Sequence, residues 1–182
     1  MSKYPDPYIA YLVEFHATRD FFECHELLEE HWKEHPDDGL SAIWVGLIQL
    51  AVGLYHERRG NLRGAAKLFA GALERLSAEE PARVGLSKEE LVRSLERRRS
   101  AAESGAAANG YRDMNLEIAD PELAAACARL CAARGLEWGT PSDMGDAELI
   151  HRHSRRDRSG VVAARRAALL LKGRGNGFGR KG

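Results

Sequence analysis

The stretch LSAIWVGLIQLAVGLYHERRG, residues 40–60, decides the fold. From Leu40 to Tyr55 it is apolar around almost its whole circumference, with Gln49 in the middle, and it runs into a charged turn before Gly60. A helix apolar on all sides is either a membrane span or the buried centre of a bundle. The apolar part is shorter than the ~18 residues that a span needs, so it is expected to be the core helix of a bundle, and no transmembrane segment is expected.

Working outward, each flank supplies a partner helix with its own start and stop signals. Asp20 and Glu23 form a capping-box pattern that opens a helix running to about His35, where Pro36-Asp37-Asp38-Gly39 breaks it. Asp6-Pro7 starts an earlier helix, to about Ala17, in which Ile9, Leu12 and Val13 recur at helical spacing. On the other side Gly60 supplies a stop and Asn61 a cap for a helix carrying Leu62, Ala65, Leu68, Phe69, Ala72, Leu73 and Leu76. Ser87-Lys88-Glu89-Glu90 opens a fifth helix, Lys88 to Ala102, with Leu91 and Leu95 facing inward.

Beyond that the composition changes. Ser104 to Gly110 reads as a linker, Asp120-Pro121 caps a short helix ending at Gly135, and residues 136–150 show no clear period. Val161 to Lys172 has the pattern of a cationic amphipathic helix, and Gly173 to Gly182 is too glycine-rich to fold alone. The expected fold class is therefore all-α. A helical bundle with short connections occupies residues 1–103, a linker and short helical extension residues 104–150, and a basic, partly disordered tail residues 151–182.

The formal net charge is zero, with 27 basic and 27 acidic side chains among 182 residues, but the balance hides two opposite parts. Residues 1–150 carry a net −9, whereas residues 151–182 carry 10 basic side chains against Asp157 alone, a net +9. Such an asymmetry marks an interaction tail, and its partner is expected to be nucleic acid or an acidic surface. One Phe178 and no repeated Arg-Gly-Gly units fall short of a recognised RNA-binding segment, so a solvated tail stays open as well. Three cysteines, Cys24, Cys127 and Cys131, make an odd count with no paired zinc spacing, and no disulfide framework is expected. The first residues carry no basic region followed by an apolar run, and a cytoplasmic protein is expected.

At 100° per residue Phe21, His25, Leu28, Glu29 and Trp32 fall within one arc, which places a histidine and a carboxylate in a stripe expected to be buried. Val45, Gln49, Val52, Gly53 and His56 share an arc on the next helix. Two polar-in-apolar stripes on consecutive helices are expected to meet. The pattern Phe22-x-x-His25-Glu26-x-Leu28-Glu29-x-x-Trp32, followed by Gln49-x-Ala51, His56, Gly60-Asn61 and Gly64-Ala65, resembles the helical family catalogued as domain of unknown function 309. The resemblance covers about residues 14–76 and implies an all-α bundle; it carries no activity with it.

Three readings of the cluster His25, Glu26, Glu29, Gln49 and His56 stay open. It is a closed hydrogen-bond network fixing helix packing, because buried polar groups must find partners. It is a site for one divalent metal ion on His25, Glu29 and His56, with Glu26 or Gln49 near the open position. Or it is a metal-free pocket with His25 or His56 as general base. The chain is thus read as a binding or structural module, with a hydrolase-like metal enzyme as the alternative. His25-Glu26-Leu27-Leu28-Glu29 is not the zinc-protease motif, since Glu29 stands where the second histidine belongs. No nucleophile elbow, phosphate loop or Cys-x-x-Cys pair occurs. Gly60, Asn61 and Gly64 read as turn and packing residues, with an anion-binding helix start as the competing reading.

Overall fold

The computed structural model describes residues 3–155. Seven α-helices follow one another: α1 (Asp6–Val13), α2 (Phe21–Glu34), α3 (Ser41–Arg58), α4 (Leu62–Ala78), α5 (Lys88–Ser104), α6 (Pro121–Arg134) and α7 (Ala147–Arg155). Among the described residues there is no strand, only an isolated bridge between Leu86 and Ile118, and the protein is all-α. None of the described helices is long and apolar enough to cross a membrane. The chain divides into two units, Met1–Ile150 and His151–Gly182. The cationic helix expected at Val161 to Lys172 and the glycine-rich end lie outside the described residues.

Consecutive helices α1 to α5 pack each on the next, and α6 returns to α1. α3 sits at the centre, with Ile43, Trp44, Leu47, Leu50, Ala51 and Leu54 fully buried. Gly46 and Gly53 let α4 come close: a Cβ at Gly46 would stand 2.7 Å from Leu76, and one at Gly53 2.6 Å from Phe69. Aromatic rings from α1 fill the other side, Tyr8 against Trp44 at 5.2 Å between centroids. The two buried phenols of α1 are paired, Tyr8 donating to the Val84 carbonyl at 2.8 Å and Tyr11 to the Leu47 carbonyl at 3.0 Å.

The caps read at Asp20, Asn61 and Asp120 are present, whereas Asp6, expected as the cap of the first helix, lies inside α1, whose N-cap is Pro5 with no side-chain cap bond. Asp20 accepts from the Glu23 N–H at 3.0 Å, Asn61 from the Gly64 N–H at 3.0 Å, and Asp120 from the Glu122 N–H at 2.7 Å. The end of the first helix departs from expectation. Glu14–Thr18 form a π-helical turn, closed by Arg19 in the left-handed region at φ 58°. A helix stretched in this way redirects the side chains of its last turn.

Residues 110–150, where the end of a linker, a short helix and a stretch of no clear period were expected, are held to the helices before them by two buried arginines. Arg19 donates to the Met114 carbonyl at 3.0 Å, the Thr140 carbonyl at 2.8 Å and the Asn115 side chain at 2.8 Å. Arg58 donates to Ser142 Oγ at 3.0 Å and to the Leu149 carbonyl at 3.3 Å.

Candidate functional site

The Asp20 side-chain cap fixes the start of α2, and His25, Glu26 and Glu29 emerge together along the helix that follows. His25 Nδ1 lies 3.1 Å from Glu26 Oε1, and His25 Nε2 lies 3.1 Å from Glu29 Oε2. One ligand atom from each of the three residues falls within 4.8 Å of the others. The Glu29 carboxylate also receives Lys33 Nζ at 2.8 Å, an i,i+4 pair on the same helix. Phe22 flanks the imidazole at 6.1 Å between rings.

The cluster is not buried. The side chains of His25, Glu26 and Glu29 are 27%, 38% and 32% exposed, while Phe21 and Leu28 on the same helix are fully enclosed. The polar members thus sit at the rim of the arc that was expected to be covered throughout.

Gln49 and His56 are elsewhere, so the expected trio His25, Glu29 and His56 is replaced by His25, Glu26 and Glu29. The reason lies in where the α3 stripe points. Gly53 faces Phe69, and Gln49 lies against Gly71 and accepts from Arg75 Nη1 at 3.3 Å; all three neighbours belong to α4. His56 continues that stripe and meets the start of α4, its Nδ1 accepting from Asn61 Nδ2 at 2.9 Å. α2 instead meets the beginning of α3: Trp32 Nε1 donates to Ser41 Oγ at 2.7 Å, and His31 stands edge-on to Trp44 at 5.5 Å.

Gly60, Asn61 and Gly64 form the connection that His56 joins. Gly60 takes φ 78°, and a Cβ on Gly64 would come within 2.6 Å of the Asn61 amide. Asn61 uses both ends of its side chain, accepting from Gly64 and donating to His56. The α4 N-terminus is therefore capped from within the chain.

Four polar side chains matter structurally that periodicity did not single out. His16 is fully buried, with Nδ1 2.7 Å from the Leu12 carbonyl and Nε2 accepting from the Leu116 N–H at 2.9 Å. Trp138 covers its ring at 4.1 Å, nearly parallel. Burial, with a contribution from Arg19, lowers the His16 pKa to about 4, so the ring is neutral at neutral pH. Arg19 and Arg58 are the clamps described above, and Glu57 pairs with Arg98 of α5. Each of these residues sits in a helical last turn or just past it, where a charged residue reads as a solvated end; only the π-helical turn and the wrapping of residues 110–150 enclose them.

Fold and site together define a small all-α bundle with a histidine–carboxylate cluster on its second helix. The chain belongs to the family described as domain of unknown function (DUF309), whose model matches residues 8–68. It is similar to the uncharacterized protein YpuF of Bacillus subtilis (strain 168), with 46% identity over 162 residues, 89% of this chain and 92% of that protein. No solved structure matches the chain.

Proposed function

We propose that this protein is a cytoplasmic binding module that takes a divalent cation on the exposed face of α2, through His25, Glu26 and Glu29. The observation that carries this reading is the approach of one imidazole nitrogen and two carboxylate oxygens to within 4.8 Å of one another. An imidazole with two carboxylates suits zinc, manganese or ferrous iron, and ligands about one-third exposed leave coordination positions open to water. The i,i+4 spacing of His25 and Glu29 on a regular helix sets their separation without a loop having to order. The free thiols Cys24, Cys127 and Cys131 fit a reducing compartment.

The open positions also favour a second reading, in which a metal-bound water serves a hydrolytic reaction at the same place. Metal analysis of protein purified without a histidine tag or chelator tests both. Stoichiometric metal, lost in His25→Ala and kept in His56→Ala, is the expected result. Protein that is well folded, metal-free and unable to take up zinc or manganese on titration would leave the cluster as a helix-surface ion-pair network and end both readings.

A further inference from the structure

A second polar site is lined by no residue of α2. An open cleft of about 450 Å³ runs between α5 and the segment after it, lined among others by Glu57, Glu90, Arg97, Arg98, Arg112 and Asn115. That volume is in the range of small-molecule sites. Its formal charges balance, so the question is which hydrogen-bonding groups are already used.

The acceptors are engaged. Glu57 takes the Arg98 guanidinium. Glu90 takes Ser94 at 3.0 Å, Arg97 at 3.1 Å and Arg93 at 3.0 Å. Asp113, also on the wall, accepts from the Ser142 backbone N–H and hydroxyl, both at 2.6 Å. The donors are not all engaged. Arg112 is exposed and its guanidinium has no partner among the described residues, and the same holds for the side-chain nitrogen of Asn115.

Other arginines hold the backbone of one spare donor and the side-chain amide of the other. Arg98, 15% exposed, donates to the Arg112 carbonyl and so fixes the backbone that carries the free guanidinium. Arg19, 2% exposed, donates to Asn115 Oδ1 at 2.8 Å, which leaves Nδ2 directed away from it. The Asn115 amide, fixed before binding, costs little to order.

We infer that this cleft binds a small organic oxyanion, a phosphate monoester or a carboxylate, whose oxygens are received by Arg112 and Asn115. Its carbon skeleton lies against Ala101, Ala107 and Met114 on the same wall. A planar guanidinium grips such a group through two parallel hydrogen bonds. The inference does not depend on the metal reading, and a chelating-resin treatment of the protein keeps the two apart.

The test is calorimetric titration of the full chain, so treated, at constant ionic strength with inorganic phosphate, adenosine monophosphate and succinate. Saturable binding of one of the organic anions is expected, and which one binds separates phosphate from carboxylate. Arg112→Ala should weaken it about tenfold or more, the effect of losing one charge-assisted contact. Arg112→Lys should recover part of the loss, and Arg129→Ala, an exposed arginine on α6 outside the cleft, should change nothing. Absence of saturation with all three probes, unchanged binding in Arg112→Ala, or an equal loss in Arg129→Ala would overturn the proposal.

Discussion

Arg58 Nη1 donates to the backbone carbonyl of Arg19 at 2.8 Å, so that one buried guanidinium holds the residue that carries the other. Arg19 has the left-handed backbone, φ 58°, that ends the π-helical turn, and Arg58 stacks its guanidinium on Phe21 at 4.6 Å. The two side chains are 2% and 5% exposed and share residues 114–149 between them as acceptors. Arg58→Ala removes three charge-assisted hydrogen bonds and orphans the Arg19 carbonyl, for an expected loss of about 3 kcal/mol in urea unfolding. Arg58→Lys should recover only part, since one ammonium cannot span three acceptors in different directions. A double-mutant cycle with Arg19→Ala should give a coupling of about 1 kcal/mol or more; additive losses would show that the two clamps act separately.

The α3–α4 contact depends on absent side chains. At Gly53 a Cβ would meet Phe69 Cε1 at 2.6 Å, and Phe69 is a fully buried aromatic ring with little room to yield. Gly53→Ala is therefore expected to destabilise by about 1–3 kcal/mol despite its gain in helix propensity. Gly105→Ala is a useful contrast. A methyl group there would have no atom within 4 Å, so any cost comes from the φ of 78° alone. Thermal unfolding of both variants separates crowding from backbone strain, and a neutral Gly53→Ala would mean that α4 shifts outward freely.

The bundle was legible because its signals are local. Asp20, Asn61, Ser87 and Asp120 each cap the helix expected of them, and Gly60 stops α3 where the pattern ends. The site was half legible. His25 and Glu29 meet because a single helix places them, but whether two helices aim their stripes at each other depends on crossing geometry, which no period encodes. Gln49, Gly53 and His56 do share a face, and that face belongs to α4. Arg19, Arg58 and His16 escaped because their burial comes from residues about 80 to 120 positions further along the chain, a long-range enclosure with no local mark.

His56 and Asn61 offer a direct contrast between capping and ligation. Asn61→Ala removes the acceptor for the Gly64 N–H and the donor to His56 together, and should cost about 1 kcal/mol. His56→Ala should cost less, since it leaves the Gly64 cap in place. Neither should alter zinc or manganese affinity, measured by competition with a chromogenic chelator, if the cation is held on α2. A marked loss of affinity in His56→Ala would instead bring α3 into the ligand set.

His16 provides the pH dependence. Its Nε2 accepts the Leu116 N–H at 2.9 Å, and a protonated ring has no lone pair there to offer. Burial holds the folded pKa at about 4, below the ordinary value of 6.5. The unfolded chain therefore binds the proton first, and the sign follows: the stabilisation is full above pH 6.5 and is lost as pH falls from there toward 4. At about 1.36 kcal/mol for each pH unit between the two values, the loss approaches about 3 kcal/mol. His16→Gln keeps an acceptor for Leu116 but cannot titrate, so its stability should fall less steeply over that window even if it starts lower at pH 7. Urea unfolding of the two proteins at steps between pH 7 and 4, taken as the difference between them, cancels the carboxylates they share. Parallel curves would show that His16 does not carry the acid sensitivity, and converging curves that protonating one ring pulls the Leu116 segment away from the bundle.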